Sequence, residues 1–195
     1  MFLLRKIYCR TFQTVFRIAI PFLPYRNPKI IPAVSGITDV CRKYGVESVM
    51  IVTDAGIRAL GLTDFLEKTL KEEGISYCVY DRTVANPTIQ NVEEARKMYL
   101  EHEAQGIIAF GGGSSMDCAK AAGARIVKPR QSIRQMRGLL KVHRRLPLLI
   151  AVPTTAGTGS ETTLAAVITD SEKHYKYPIN DFSLIPRYAV LDYHE

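Results

Sequence analysis

Residues 106–127 read GIIAFGGGSSMDCAKAAGARIV, and this stretch decides the fold class. Its first five residues (106–110) are mostly apolar, as expected of a strand that is covered on both faces. Three consecutive glycines follow (111–113), and then a run of small residues predicts a helix over 116–127. A buried strand that leads into a helix through a glycine turn is typical of a parallel α/β sheet.

Further apolar runs repeat this pattern along the chain. Those that predict strands lie at 49–53, 75–80, 148–152, 165–169 and 188–191. Helices are predicted at 63–73, 88–104 and 132–141, the last of them in a basic stretch. Strands that alternate with helices at this spacing predict an α/β, Rossmann-like fold with a mostly parallel sheet and flanking helices.

The composition is that of an ordinary globular protein. The chain has 195 residues, of which 47% are hydrophobic and 23% charged, and this size suits one domain with an appendage. The net charge of +7 is concentrated in two segments without an acid, 1–38 and 120–145. Such segments are able to meet phosphates, anionic lipid or nucleic acid, but solvated helix faces are the favoured interpretation.

Residues 1–28 are predicted to form an arm that precedes the domain at 29–195. Basic residues interrupt its apolar run, at Arg5, Lys6, Arg10 and Arg17. These charges argue against a membrane span or a signal segment. An amphipathic helix on a membrane surface is one alternative. Packing of the arm on its own domain or on a partner subunit is the favoured one.

The cysteines and histidines show no metal-ligand spacing. The four cysteines form no CxxC pair and are Cys9, Cys41, Cys78 and Cys118. The four histidines are scattered, at His102, His143, His174 and His194. We therefore expect reduced thiols in a cytoplasmic protein, with no disulfide framework and no metal site on this chain.

Four polar segments follow predicted strands or turns, at 53–54, 86–88, 111–117 and 154–161. In open parallel sheets, ligands bind beyond the carboxyl ends of the strands, near a reversal of strand order. If these segments share one edge, the site is rich in glycine and hydroxyl groups and carries a carboxylate, Asp54.

The glycine turn points to phosphate. Without Cβ atoms the backbone is able to approach a pyrophosphate closely, and the following helix offers unpaired N–H groups and partial positive charge. Ser114 or Ser115 is placed to donate a hydroxyl or to cap the helix. Asp117 suits a capping or dipole role better than catalysis. A plain tight turn is the alternative to phosphate contact and is less favoured.

The spacing departs from the dinucleotide fingerprint G-x-G-x-x-G, in which a ribose-binding acid follows the glycines by about 20 residues. Here Asp54 precedes them, and ribose binding and capping of the next turn are equally good interpretations. Residues 153–163 read PTTAGTGSETT and offer hydroxyl and amide donors. Ser160 is not in a G-x-S-x-G elbow, so a nucleophilic role is disfavoured and no catalytic residue is assigned.

Together these segments resemble the iron-containing (group III) alcohol dehydrogenase family. The resemblance is carried by 52–54 (VTD), 86–88 (NPT), 111–120 (GGGSSMDCAK) and 153–161 (PTTAGTGSE), in matching order and spacing. It extends over about residues 29–192. The resemblance implies the nucleotide-binding N-terminal domain of a dehydroquinate synthase-like fold.

The resemblance also implies an NAD-dependent enzyme that transfers hydride between a primary or secondary alcohol and nicotinamide. Asp54 would contact the adenosine ribose, which makes NADP less favoured. The pyrophosphate would be bound by Gly112, Gly113, Ser114 and Ser115. The path towards the nicotinamide would be lined by Thr154, Thr155 and Thr158. Asn86, Val167 and Lys176 match further cofactor-contacting positions. A small alcohol or aldehyde and a second copy of the chain are the implied partners; nucleic acid is not.

The sequence departs from the family in one respect. The family's helical second domain supplies one Asp and three His to a divalent metal, usually iron, and the first two of these ligands lie in a G-x-D-A-x-x-H motif that is absent here. We therefore expect that the chain is truncated before the metal domain. On its own the chain should bind nucleotide but be inactive. The alternatives are a glycerol dehydrogenase-like enzyme and a non-catalytic nucleotide-binding or membrane-surface module.

Overall fold

The computed structural model describes residues 24–191, together with residues 9–11, 13, 14 and 17. Most of the predicted arm, 1–28, lies outside the described residues, and so does His194. The division into an arm and a domain therefore stays a prediction.

The described chain alternates strands and helices, as the sequence predicts. The strands are β1 (Lys29–Ile31), β2 (Ser48–Val52), β3 (Ser76–Tyr80), β4 (Gly106–Gly111), β5 (Gly138–Leu139), β6 (Leu148–Pro153), β7 (Ala165–Asp170), β8 (Tyr175–Asn180) and β9 (Tyr188–Val190). The α-helices are α1 (Gly36–Tyr44), α2 (Ala55–Ala59), α3 (Asp64–Glu72), α4 (Ile89–Glu101) and α5 (Gly113–Val127). Two short 3-10 helices lie at Ile133–Met136 and Phe182–Leu184.

The central sheet of the described residues has the strand order β1-β9-β6-β4-β2-β3, and all its pairs are parallel. The chain passes from β2 to β3 on one side and then returns to β4 on the other side of β2. The order of strands therefore reverses between β2 and β4, and this is where parallel sheets bind ligands. The predicted Rossmann-like, mostly parallel fold is confirmed.

Both faces of this sheet are covered, which explains its unbroken apolar strands. All six residues of β4 are buried. One face packs against α4 and α5, and the other against α1 and α3. Helix α5 approaches closely because its residues are small: an added Cβ at Gly123 would lie only 2.8 Å from Leu146 Cδ2. The small-residue run thus reflects close packing of helix on sheet.

A second, three-stranded sheet flanks the first, in the order β5-β8-β7. Strand β7 runs antiparallel to β8 and packs on α5. The amide of Thr169, in β7, donates to the carbonyl oxygen of Pro87 at 2.8 Å, which joins this sheet to the 86–88 turn. The strand predicted at 165–169 is confirmed, but it belongs to this second sheet.

The helix predicted at 132–141 is wrong. Ser132 does begin a helical turn, because its side chain and that of Gln135 cap it reciprocally, but the turn is a 3-10 helix that ends at Met136. Gly138 then has a φ of 103°, a value that glycine adopts readily but that does not allow the helix to continue. Buried Ile133 and Met136 anchor the turn, and β5 follows.

The favoured interpretation of the basic segment 120–145 as solvated helix faces is wrong for Lys120 and Arg125, which are buried. Lys120 is fully buried. Arg125 pairs with Glu93 at 2.5 Å, and Arg134 pairs with Asp170 at 2.6 Å. In the part of the chain that the structure describes, no helix combines the length and the apolar character that crossing a membrane requires.

Candidate functional site

The carboxyl ends of β2, β4 and β6 meet at a cleft of about 600 Å³. The register places Gly111, at the end of β4, opposite Pro153, at the end of β6. The cleft opens at the reversal of strand order between β2 and β4. Seven of the predicted site residues line it: Asp54, Gly112, Gly113, Ser114, Ser115, Thr154 and Thr155.

Asp54 makes hydrogen bonds through both of its carboxylate oxygens. Its Oδ1 accepts from the amides of Gly56 and Ile57, both at 3.0 Å, and so caps helix α2. Its Oδ2 lies on the other side, where the Ser115 hydroxyl donates to it at 3.4 Å. Capping, one of the two interpretations of this residue, is therefore confirmed. The second oxygen still lies at the glycine turn.

Gly111 and Gly112 cannot carry a side chain unless their neighbours shift, whereas Gly113 has room for a methyl group. Gly111 has a φ of 138°, and an added Cβ would lie 2.8 Å from Ser115 Oγ. A Cβ at Gly112 would lie 3.3 Å from Thr155 Oγ1, and one at Gly113 would lie 3.5 Å from Thr158 Cγ2. The missing Cβ atoms therefore keep open the gap between the glycine turn and the threonine segment.

Helix α5 begins at this gap without a capping side chain. Its N-cap residue is Gly112, which has no side chain that could accept a hydrogen bond from the first amides of the helix. The first N–H groups of the helix have no intrahelical acceptor, and the helix dipole adds partial positive charge there. Together with the missing Cβ atoms, this cradle suits the phosphates of a dinucleotide.

The threonine segment, 153–163, forms the opposite wall. The Thr154 amide donates to the carbonyl oxygen of Gly111 at 3.1 Å, which fixes the segment next to the glycine turn. The side chains of Thr154, Thr155 and Thr158 are exposed. Thr158 does not line the cleft but lies next to Gly113. The segment thus presents hydroxyl donors across the gap.

Lys120 holds this segment from inside the protein. Its ammonium group donates to the carbonyl oxygens of Ser160 at 2.6 Å, Thr163 at 3.0 Å and Ala165 at 3.0 Å. Burial lowers the pKa of Lys120 to about 8, although the nearby carboxylates of Asp117 and Glu161 oppose this shift. The sequence motif contains this lysine but does not indicate its function, because its acceptors lie at least 40 residues away along the chain.

Asp117 makes a second connection between α5 and the threonine segment. Its Oδ1 accepts from the Ser160 hydroxyl at 3.1 Å, and its Oδ2 accepts from the Val167 amide at 3.1 Å. Burial raises the pKa of Asp117, and these hydrogen bonds and Lys120 oppose the shift. The predicted capping role is wrong, because Asp117 lies beyond the first turn. Ser160 is buried against it, which agrees with the disfavoured nucleophilic role.

Three further predicted site residues do not line the cleft. The Asn86 amide donates to Ser114 Oγ at 3.2 Å, and Asn86 has a φ of 60°. Val167 is 39% exposed in β7. Lys176 is exposed in β8, where it lies opposite Thr169 of β7 in the antiparallel register. The cofactor contacts expected of these three residues stay predictions.

Metal-ligating side chains do not come together in the described residues. No group of three or more His, Cys, Asp or Glu is placed there to hold a metal ion. Cys41, Cys78 and Cys118 are buried free thiols. The donors at the cleft are instead hydroxyls and amides, which suit a nucleotide.

Comparisons of the sequence with known proteins agree on one family. The family model described as iron-containing alcohol dehydrogenase matches residues 32–193. The choline dehydrogenase of Bacillus subtilis (strain 168) is 39% identical over 150 residues, which are 76% of this chain and 37% of that protein. The NAD-dependent methanol dehydrogenase of Bacillus methanolicus is 32% identical over 160 residues, which are 82% of this chain and 42% of that protein.

Solved structures agree. The crystal structure of 1,3-propanediol oxidoreductase matches with a TM-score of 0.80 and 30% identity, over 86% of this chain and 45% of that one. Sulfoacetaldehyde reductase from Bifidobacterium kashiwanohense, solved in complex with NAD+, matches with a TM-score of 0.74 and 27% identity, over 86% of this chain and 45% of that one. The chain thus spans roughly two fifths of the length of these curated relatives, 37% and 42%.

Proposed function

The chain belongs to the iron-containing alcohol dehydrogenase family, and we propose that its cleft binds NAD for hydride transfer between a nicotinamide and an alcohol. One observation carries this proposal. Asp54, Gly112, Gly113 and Thr154 line a single cleft at the carboxyl edge of the sheet, where the strand order reverses. A carboxylate, a glycine cradle and hydroxyl donors are the groups that a dinucleotide requires.

The glycine cradle is assigned to the pyrophosphate. Gly112 and Gly113 leave room for close backbone approach, and the first amides of α5 are free to donate to phosphate oxygens. The hydroxyl of Ser114 faces the 86–88 turn, where it accepts from the Asn86 amide. This contact joins the turn to the phosphate-binding segment.

Asp54 is assigned to the adenosine ribose. Its Oδ1 is occupied in capping α2, so the carboxylate is fixed in orientation while Oδ2 stays at the cleft. A fixed carboxylate is able to accept from ribose hydroxyls, and it repels a phosphate group at the same position. We therefore expect NAD to bind in preference to NADP.

The threonine segment is assigned to the nicotinamide side. Thr154, Thr155 and Thr158 offer hydroxyls there, and Lys120 and Asp117 fix the segment from behind. Bound NAD would supply the acceptor for a hydride from the alcohol carbon. The described residues do not fit a metal ion, and no step is assigned to them through one.

The substrate class and the partners are also proposed. Relatives include proteins described as choline dehydrogenase, methanol dehydrogenase and lactaldehyde reductase, and we infer a small alcohol or aldehyde for this one. The buried free thiols agree with a cytoplasmic location. The homodimer and the absence of turnover by this chain alone stay predictions. Light scattering and an assay of alcohol-dependent NADH formation test them.

The proposal is tested by titrating the 195-residue chain with NADH and NADPH while following nicotinamide fluorescence. We expect saturable binding of one NADH per chain and at least tenfold weaker binding of NADPH. Folded protein that binds neither nucleotide, or binds NADPH more tightly, would contradict the assignment of the cleft.

A further inference from the structure

The amino ends of the central strands border a second cavity, on the edge of the sheet opposite the candidate site. Its volume is about 270 Å³. It is lined by residues that begin or precede β2, β4, β6 and β9, among them Val46, Gln105, Leu148 and Arg187. The length of the strands separates it from the glycine turn.

Three guanidinium groups line this cavity, those of Arg26, Arg145 and Arg187. Within residues 24–191, no carboxylate lines the cavity and no ion pair is made by any of the three. This distinguishes them from Arg125 and Arg134, which are neutralised by Glu93 and Asp170. The cavity therefore holds an excess of positive charge.

Two of these arginines are held in place. Arg26 donates to the carbonyl oxygen of Ile185 at 2.6 Å. The guanidinium of Arg187 lies 4.7 Å from the centre of the Tyr44 ring, and the Tyr44 hydroxyl lies 3.2 Å from that of Tyr188. Stacked and hydrogen-bonded guanidinium groups are already ordered, so a ligand that binds them meets a smaller entropy loss.

The arginines also lie close enough to affect one another. Burial and the charge of Arg187 lower the pKa of Arg26. The backbone amides of Val46 and Arg187 are already engaged, since they donate to the carbonyl oxygens of Cys41 and Leu149. An anion that enters the cavity would meet guanidinium donors and relieve their mutual repulsion.

We propose that this cavity is a second binding site, for a small phosphate-bearing molecule. Guanidinium groups match phosphate oxygens with paired hydrogen bonds. The volume, about 270 Å³, is below the roughly 300–1,000 Å³ of sites for drug-sized ligands, which favours a compact ligand such as pyrophosphate or a short phosphate ester. A concave, partly enclosed shape selects a soluble ligand over a membrane surface.

The test is a calorimetric titration of the full chain with inorganic pyrophosphate, at constant ionic strength. We expect one binding event per chain. Arg145→Gln and Arg187→Gln should each weaken it about tenfold, as expected for loss of a charge-assisted hydrogen bond. Arg187→Lys should weaken it less than Arg187→Gln does, because charge is kept and the paired geometry is lost.

Three controls separate the alternatives. Arg130→Gln removes an exposed guanidinium outside the cavity and should leave the affinity unchanged; an equal loss would show diffuse attraction and overturn the proposal. Gly113→Ala, in the opposite cleft, should also leave it unchanged; loss there would place pyrophosphate in the nucleotide site. Binding to phosphatidic acid vesicles without pyrophosphate binding would overturn it too. Circular dichroism verifies that each variant is folded.

Discussion

The ammonium group of Lys120 lies 2.6 Å from the carbonyl oxygen of Ser160, inside the protein, where it is fully buried. A buried cation is tolerated when hydrogen bonds satisfy it, and here two further carbonyl oxygens do so, from Thr163 and Ala165. This single side chain therefore fixes the end of the threonine segment to helix α5. It joins the two walls of the cleft.

Replacing Lys120 with methionine should loosen the threonine segment. The carbonyl oxygens of Ser160, Thr163 and Ala165 would lose this donor, and a carbonyl left unsatisfied away from water costs about 1–3 kcal/mol of stability. We expect about tenfold weaker NADH binding. Hydrogen exchange should be faster for amides of 154–165 and unchanged for those of β2 and β4.

Lys97→Met is the matched control, since Lys97 is an exposed residue of α4 that pairs with Glu101. It should change neither NADH affinity nor hydrogen exchange in the threonine segment. Uniformly faster exchange throughout the Lys120→Met variant would show a general loss of stability and count against a positioning role.

Asp54→Asn should change nucleotide preference without unfolding helix α2, because asparagine is as good an N-cap residue as aspartate. Loss of the negative charge removes repulsion of the 2′-phosphate. We expect the ratio of NADPH to NADH affinity to rise about tenfold. Asp64→Asn, which removes a carboxylate outside the cleft, should leave the ratio unchanged. The same ratio in both variants would refute the ribose assignment.

The ion pair of Asp170 with Arg134 should make the stability of the chain fall in acid. Hydrogen bonding to Arg134 lowers the pKa of Asp170 to about 2, below the usual value of about 3.9. The pair therefore stabilises the fold above about pH 4, and this contribution is lost as the pH falls towards 2. Urea midpoints measured from pH 7 to pH 2.5 should fall less in Asp170→Asn.

Asp39→Asn serves as the control for this measurement, because Asp39 is an exposed partner of Arg42 in α1. Its midpoints should follow those of the unchanged protein. If Asp170→Asn shows the same loss of stability in acid as the unchanged protein, the stabilising role of the pair is wrong.

The central strands and the candidate site were predictable because their signals are local. The apolar runs of β2, β4 and β6 are continuous, and each ends in glycine or polar residues. The parallel arrangement then places those ends at one edge. The convergence of Asp54 with the glycine turn follows from topology alone, and the structure confirms it.

The parts that failed depend on distant contacts. Strand β8 contains Pro178 and is stabilised by pairing with β7, so its own sequence gives a weak signal. Residues 132–141 have basic side chains in a helix-like pattern, but Arg134 bonds to Asp170 in β7, and Gly138 breaks the turn. The function of Lys120 depends on carbonyl groups that no sequence pattern marks.

The most direct test of the central claim is NADH binding to Gly113→Ala. The fold has room for this methyl group, since an added Cβ would meet Thr158 at an ordinary 3.5 Å, and alanine at the start of a helix is at least as favourable as glycine. We expect an unfolding temperature no lower than that of the unchanged protein, with NADH affinity reduced tenfold or more. Unchanged affinity in this folded variant would show that the nucleotide does not lie on the glycine turn.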